Sequence, residues 1–292
     1  MIGYLFFKIK NEPLLDSLQD IKVENHTCLI LTIFLTFLNW GLESKKWQLL
    51  ITSVEKITFP TALKSVLAGL TTGLLTPNRL GNFIGRLAFV KKTNHNQAIV
   101  NTLIGNLAQF VSTLVVGLIG LLTLLYLEFD ILNSGLISIL SIILILIGLL
   151  LYFKPSIINR KPFNWLFSCK TVASIQQIDK TESALKMNIL ALSFVRYFVF
   201  CIQYYLLFLV FKPASPILFL SLIATTFLIT TLIPSLFFGK LFVRESVAIF
   251  VFSLASIDTT LVLIVAFLLW FINLAIPALF GALIWLKQKQ HV

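Results

Sequence analysis

An all-α, polytopic integral membrane protein is the fold class this sequence predicts, and three observations carry it. Hydrophobic residues make up 58% of the 292-residue chain and charged residues 12%, where soluble domains carry about 25% charged residues. The apolar runs are long, nearly free of charge and repeated along the chain, which excludes a signal peptide followed by a soluble body. Lys and Arg gather between those runs, as in the loops of membrane proteins.

In chain order, residues 1–7 are apolar but span only about 10 Å at about 1.5 Å per residue. They read as the tail of a helix that begins upstream, or as a half-helix lying at the interface, followed by an acidic linker with Glu12, Asp16, Asp20 and Glu24. Residues 28–41 form a short first span, or the apolar part of a longer helix that runs on toward Lys45 and Lys46. Residues 96–127 and 134–153 are two further spans around the acidic turn 128–133. Residues 184–211, 216–233, 246–256 with an upstream extension, and 260–286 complete the set. At about 20 residues per crossing this gives about six to eight transmembrane helices in one membrane domain, residues 1–292.

The basic loops fix an orientation by the positive-inside rule. Lys45 and Lys46, Lys91 and Lys92, the stretch 154–170 and the tail 287–289 all fall on one side if residues 96–153 are a hairpin. That side is the cytoplasm, which places the C-terminus inside. The net charge of +11 reflects this bias, so nucleic acid is not an expected partner. The three cysteines are odd in number and widely spaced, suggesting neither a disulfide framework nor a zinc site.

The segment 76–86, TPNRLGNFIGR, is the most informative. It sets helix-breaking Pro77, the glycines Gly81 and Gly85, and two arginines, Arg79 and Arg86, inside hydrocarbon-like sequence. A charge at the bilayer centre costs about 2.5–3.5 kcal/mol, so an intramembrane Arg faces a cavity, a partner or a pathway. A loose echo follows: Thr230, Thr231 and Pro234, then Gly239, Lys240 and Arg244. The two copies divide the chain into pseudo-repeat halves of approximately 28–153 and 181–287. The loop charges make residues 62–90 a re-entrant hairpin broken at Pro77, entering from the cytoplasm. Residues 216–256 become one entering from outside, broken at Pro234, with two full crossings as the alternative. Broken helices meeting at the midplane in an inverted repeat are a transporter arrangement. Irregular backbone at that depth must be buried in protein or line a water-filled cavity.

Polar stripes face the same region. Thr102, Asn106, Gln109 and Thr113 share one helical face, as do Ser193, Arg196, Phe200 and Gln203. Interhelical hydrogen bonding is the simpler reading of the Asn/Gln stripe, and a cavity or ion-pair role the reading of Arg196. Five cations (Arg79, Arg86, Arg196, Lys240, Arg244) stand at membrane depth against one clear acid, Glu245, beside Arg244. Arg86 and Arg244 have the alternative of snorkelling to the interface. An anionic guest complements the set, because Arg matches phosphate bidentately; the membrane offers phospholipid headgroups and polyprenyl phosphates.

These residues resemble a known family. Asn39 to Glu43 with Lys46 and Trp47, the block from Thr76 through Pro77, Arg79 and Gly81 to Arg86, Gln109, Arg196 and Tyr197 with Gln203, and Arg244 with Glu245 are similar to the flippase-like membrane domain of lysylphosphatidylglycerol synthases and its stand-alone relatives. The resemblance runs from about Asn39 onward. It implies a polytopic inner-membrane protein that translocates a modified phospholipid between leaflets, with Arg79, Arg86, Arg196 and Arg244 meeting the headgroup. No aminoacyl-transferase domain follows Leu286 and no glycosyltransferase domain is present, so lipid aminoacylation is not expected of this chain.

The expected function is therefore flipping of an anionic or modified phospholipid, or of a lipid-linked phosphate, at a cation-lined midplane cavity. Arg79, Arg86, Arg196, Lys240 and Arg244 bind substrate; Pro77, Gly81, Gly85, Pro234 and Gly239 break the hairpins; Thr76, Asn106, Gln109, Gln203 and Glu245 support them. Two alternatives stand: a membrane enzyme acting on isoprenoid phosphate, which needs acid/base or metal-binding carboxylates, and a non-catalytic envelope scaffold. The sequence has no Walker motif and no His/Asp cluster, so no cofactor is expected.

Overall fold

The computed structural model describes residues 22–76, 81–129, 135–159, 178–233 and 239–289. The calls on residues 1–7, on the acidic linker before Lys22, and on Pro77, Arg79, Cys169 and Pro234 lie outside them.

The described residues are helical, with no strand among them. In order they form α1 (His26–Thr52), α2 (Phe59–Leu74), α3 (Gly81–Leu87), α4 (His95–Phe129), α5 (Gly135–Phe153), α6 (Ser183–Phe211), α7 (Pro216–Leu232), α8 (Gly239–Ser253), α9 (Thr259–Trp270), a π-helical turn (Phe271–Ala275) and α10 (Ile276–Lys289). The starts follow from local chemistry. Asn25 Oδ1 accepts from the Cys28 amide at 3.2 Å, Thr58 Oγ1 from Thr61 at 3.4 Å and Asp258 Oδ1 from Leu261 at 2.7 Å, each satisfying a donor the helix leaves free. Pro60 and Pro216 stand in first turns, where a missing N–H costs nothing.

Among the described residues, five stretches are long and apolar enough to cross a membrane by length and composition: 26–52, 92–128, 135–153, 183–211 and 259–287. Helices α2, α3, α7 and α8 fall outside that set, and they flank the two breaks. Of the two readings of residues 28–41 the longer helix holds: α1 continues past Gly41 to Thr52, with Lys46 only 2% exposed. Lys46 is a buried helix residue and not a loop charge; its neighbour Lys45 is exposed.

Packing is organised around α1 and α6, which lie together, with α4 against both. The pairs α4 with α7 and α2 with α10 are the other principal contacts, and α2 with α3, and α7 with α8, pack across the two breaks. Glycine lets backbones approach in these pairs. A Cβ at Gly117 of α4 would stand 2.6 Å from Leu228 Cβ, and one at Gly120 would stand 2.5 Å from Ala224 Cβ. We expect Gly120→Leu to lower the thermal stability of the detergent-solubilised protein, by about 1–3 kcal/mol for overpacking, as read from its melting temperature. Two apolar cores result. One gathers Tyr204, Phe208, Phe219 and Phe252 with residues of α6 to α9. The other joins Trp47, Leu50 and Ile51 to α2, α4 and the start of α6.

Candidate functional site

Three residues of α1, Asn39, Glu43 and Lys46, recur at spacings of four and three and therefore share one helical face. All three are buried. A carboxylate held in a membrane protein interior needs partners, and Glu43 has three cations. Lys46 Nζ lies 2.8 Å from Glu43 Oε2, Arg86 Nη2 2.6 Å from Oε1, and Arg196 Nη1 3.0 Å from Oε2.

Arg86 arrives on the hairpin of α2 and α3. The chain doubles back so that Ser65 Oγ donates to Arg86 O at 3.2 Å, and Thr72 Oγ1 donates to Gly81 O at 2.6 Å while accepting from Gly85 N at 3.2 Å. Thr76 Oγ1 accepts from the Gly81 amide at 2.6 Å, tying the break to α3. Gly81 and Gly85 sit against the carbonyls of Thr72 and Ala68, where a Cβ has no room. The Arg86 guanidinium is then aimed inward, with Nε donating to Asn82 Oδ1 at 3.0 Å and Cζ 5.1 Å from the centre of the Trp47 ring.

Arg196 comes from α6. Its Nε donates to Asn39 Oδ1 at 2.7 Å, its Nη1 to Gln109 Oε1 of α4 at 3.2 Å, and it lies 5.2 Å over the Phe200 ring. Asn39 Nδ2 in turn donates to Asn273 Oδ1 at 3.2 Å. Asn273 belongs to the π-helical turn of the last helix, a distortion that is frequent at functional sites. Lys46 Nζ also donates to Gly105 O of α4 at 3.4 Å.

The cluster thus joins α1, α3, α4, α6 and the π turn around one carboxylate. Its three cations and one acid leave an excess of two positive charges. Glu43, Lys46 and Arg86 side chains are 9%, 3% and 5% exposed, and Arg196 is 19% exposed. Arg196 is the open side of an otherwise enclosed site.

The remaining sequence candidates are distributed differently. Arg244 pairs with its neighbour Glu245 at 2.6 Å and donates to Ala266 O at 2.7 Å, forming a separate, charge-balanced pair. Glu245 borders an apolar cavity of about 340 Å³ lined by Phe242, Leu263, Ile264, Phe267 and Leu268. Gly239 opens α8, and the Lys240 side chain lies outside the described residues. Gln203 donates to Thr32 O at 3.0 Å and Thr36 Oγ1 at 2.9 Å, joining α6 to α1. Asn106 is exposed, whereas Gln109 of the same stripe reaches the cluster.

Sequence reasoning had named Glu245 as the clear acid at membrane depth. The acid on which Arg86 and Arg196 converge is Glu43; Glu43 and Lys46 stand among the residues that carry the family resemblance but not among the site candidates, and Asn273 stands in neither. The Asn39, Glu43 and Lys46 spacing puts the three on one helical face and is the one local signal for Glu43 and Lys46.

A search of the curated proteins finds no match to the chain. The family model described as the lysylphosphatidylglycerol synthase TM region matches residues 2–281, nearly the whole length, and the chain belongs to that family.

Proposed function

We propose that this protein moves an anionic lipid between the leaflets of the inner membrane, with the lipid phosphate received by Arg86, Arg196 and Lys46 around Glu43. Family membership connects the chain with membrane lipids. The observation that carries the finer reading is the buried excess of two positive charges with one partly open member, Arg196. Uncompensated charge inside a membrane protein marks a pathway or a ligand, and guanidinium groups suit phosphate. Arg79, Lys240 and Arg244 are further headgroup contacts along the path in this reading.

An inverted repeat with a cytoplasmic C-terminus supplies the two access states. The packing supports it: exchanging α1 with α6, α2 with α7, α3 with α8 and α4 with the pair α9 and α10 converts the contact of α4 with α7 into that of α10 with α2. The same exchange turns the hairpin of α2 and α3 into that of α7 and α8. Alternating access then consists of one half rocking against the other about the cluster.

The test is transbilayer movement of fluorescent anionic and zwitterionic lipids in proteoliposomes, with Arg196→Gln as the variant. We expect movement of the anionic lipid in the intact protein and at least about a tenfold loss in Arg196→Gln, equivalent to about 1.4 kcal/mol. Movement of no lipid, or unchanged rates in a folded Arg196→Gln protein, would reject the proposal.

A further inference from the structure

Resting on the reading of the cluster as a phosphate site, we infer that its substrate class is a lipid phosphomonoester rather than a phosphodiester. The argument begins with how Glu43 is shared. Arg86 takes Oε1, while Lys46 and Arg196 both crowd onto Oε2, at 2.8 and 3.0 Å. A carboxylate has two oxygens, so three cations cannot each have their own. A phosphodiester also presents two free oxygens and would impose the same sharing. A phosphomonoester presents three, one for each cation, with the ester oxygen left to carry the hydrocarbon tail.

Charge leads to the same class. Lys46, Arg86 and Arg196 against Glu43 leave an excess of two positive charges in the described cluster. A phosphomonoester carries about two negative charges above its second pKa of about 6, whereas a diester carries one. The monoester neutralises the site and the diester leaves one buried positive charge. Glu43 has a defined part in this: it holds the three cations together when no guest is present and limits the excess to two.

The groups facing the guest are Asn39, Glu43 and Lys46 from α1, Arg86 from α3, Gln109 and the Gly105 carbonyl from α4, Arg196 from α6, and Asn273 through its bond to Asn39. Titration of the protein itself changes the affinity of any anionic guest, the diester's included. A diester of matched chain length therefore serves as the internal control.

The experiment measures binding to the full-length protein in detergent at pH 8 and pH 5. The probes are dioctanoylphosphatidate, farnesyl phosphate, dioctanoylphosphatidylglycerol and inorganic phosphate. Expected at pH 8 is monoester binding on the order of tenfold tighter than the diester, for one additional neutralised charge. That advantage should shrink at pH 5, where the monoester gains a proton. Tighter binding of phosphatidate than of farnesyl phosphate assigns the tail to a glycerolipid, and the reverse order assigns it to a prenyl chain; both support the class. Glu43→Gln, if it folds, should bind the monoesters more tightly, where a purely structural acid would only lose affinity.

Equal affinity for monoester and diester at both pH values overturns the substrate class and leaves lipid movement standing. Inorganic phosphate binding as tightly as the lipid monoesters overturns the lipid assignment. Absence of binding by all four probes overturns this inference together with the proposed function.

Discussion

Glu43→Ala is expected to cost about 3–5 kcal/mol of folding stability, the range for leaving a buried charge without its partner. The effect should exceed that of removing any one cation, because Glu43 is the shared partner of Lys46, Arg86 and Arg196. Loss of one cation leaves an acid still doubly paired. Loss of the acid leaves three positive charges facing one another, with Asn39, Gln109, Asn82 and Gly105 offering only neutral acceptors. The measurement is thermal unfolding in detergent for Glu43→Ala, Arg86→Ala and Lys46→Ala side by side. A second arm separates this electrostatic account from simple loss of packing. An anion that enters the cluster stabilises by about 2.7 kcal/mol at a hundredfold excess over Kd, and does so for the folded state alone. Anionic lipid should therefore raise the melting temperature of Glu43→Ala by more than it raises that of the intact protein. A variant as stable as the parent, or equally insensitive to lipid, would remove Glu43 from the centre of the site.

The reach of the sequence differs between the fold and this site. Helix α5 and the long span of α4 were legible because length and hydrocarbon character alone decide them. Gly81, Gly85 and Arg86 pointed to a tight turn-back, and α2 and α3 do pack antiparallel through Thr72 and Ser65. The extent of α1 was legible only as one of two alternatives, because Lys45 and Lys46 are adjacent and look alike as loop charges. Only the helical phase, set against neighbours 40 and more residues away, buries one and exposes the other. Glu43 and Lys46 at three-residue spacing also have the signature of an ordinary surface ion pair. What distinguishes them is the arrival of Arg86 and Arg196, a tertiary fact. Arg244 and Glu245, adjacent in sequence, were counted among convergent charges, yet they pair with each other and not with the Glu43 cluster. The π turn that carries Asn273 to Asn39 does have a local mark in Pro277, which has no N–H and whose ring crowds the carbonyl four residues back, at Asn273; that the distortion meets α1 is a tertiary fact.

Gly85→Val should abolish lipid movement while Gly41→Ala leaves it intact. The two glycines differ in what surrounds them. A Cβ at Gly85 would run into the Ala68 carbonyl and stand 2.5 Å from the Gly69 amide nitrogen, both backbone atoms of α2, whereas the space beside Gly41 is open. Backbone cannot rotate aside as a side chain can, so α3 must move away from α2. Overpacking of this kind costs about 1–3 kcal/mol and sometimes more. The functional consequence is larger than the energetic one, because Arg86 follows Gly85 directly and its guanidinium reaches Glu43 at 2.6 Å only while α3 is seated. A displacement of about 1 Å is enough to lengthen that pair and expose the charge to a different partner. Gly41→Ala instead replaces a helix-interior glycine, worth up to about 1 kcal/mol in favour of the helix. Transport in proteoliposomes and thermal unfolding, measured on both variants, should move together for Gly85→Val and apart for neither. A Gly85→Val protein that folds and moves lipid at the parental rate would mean that the seat of α3 on α2 does not set the position of Arg86 in the working site.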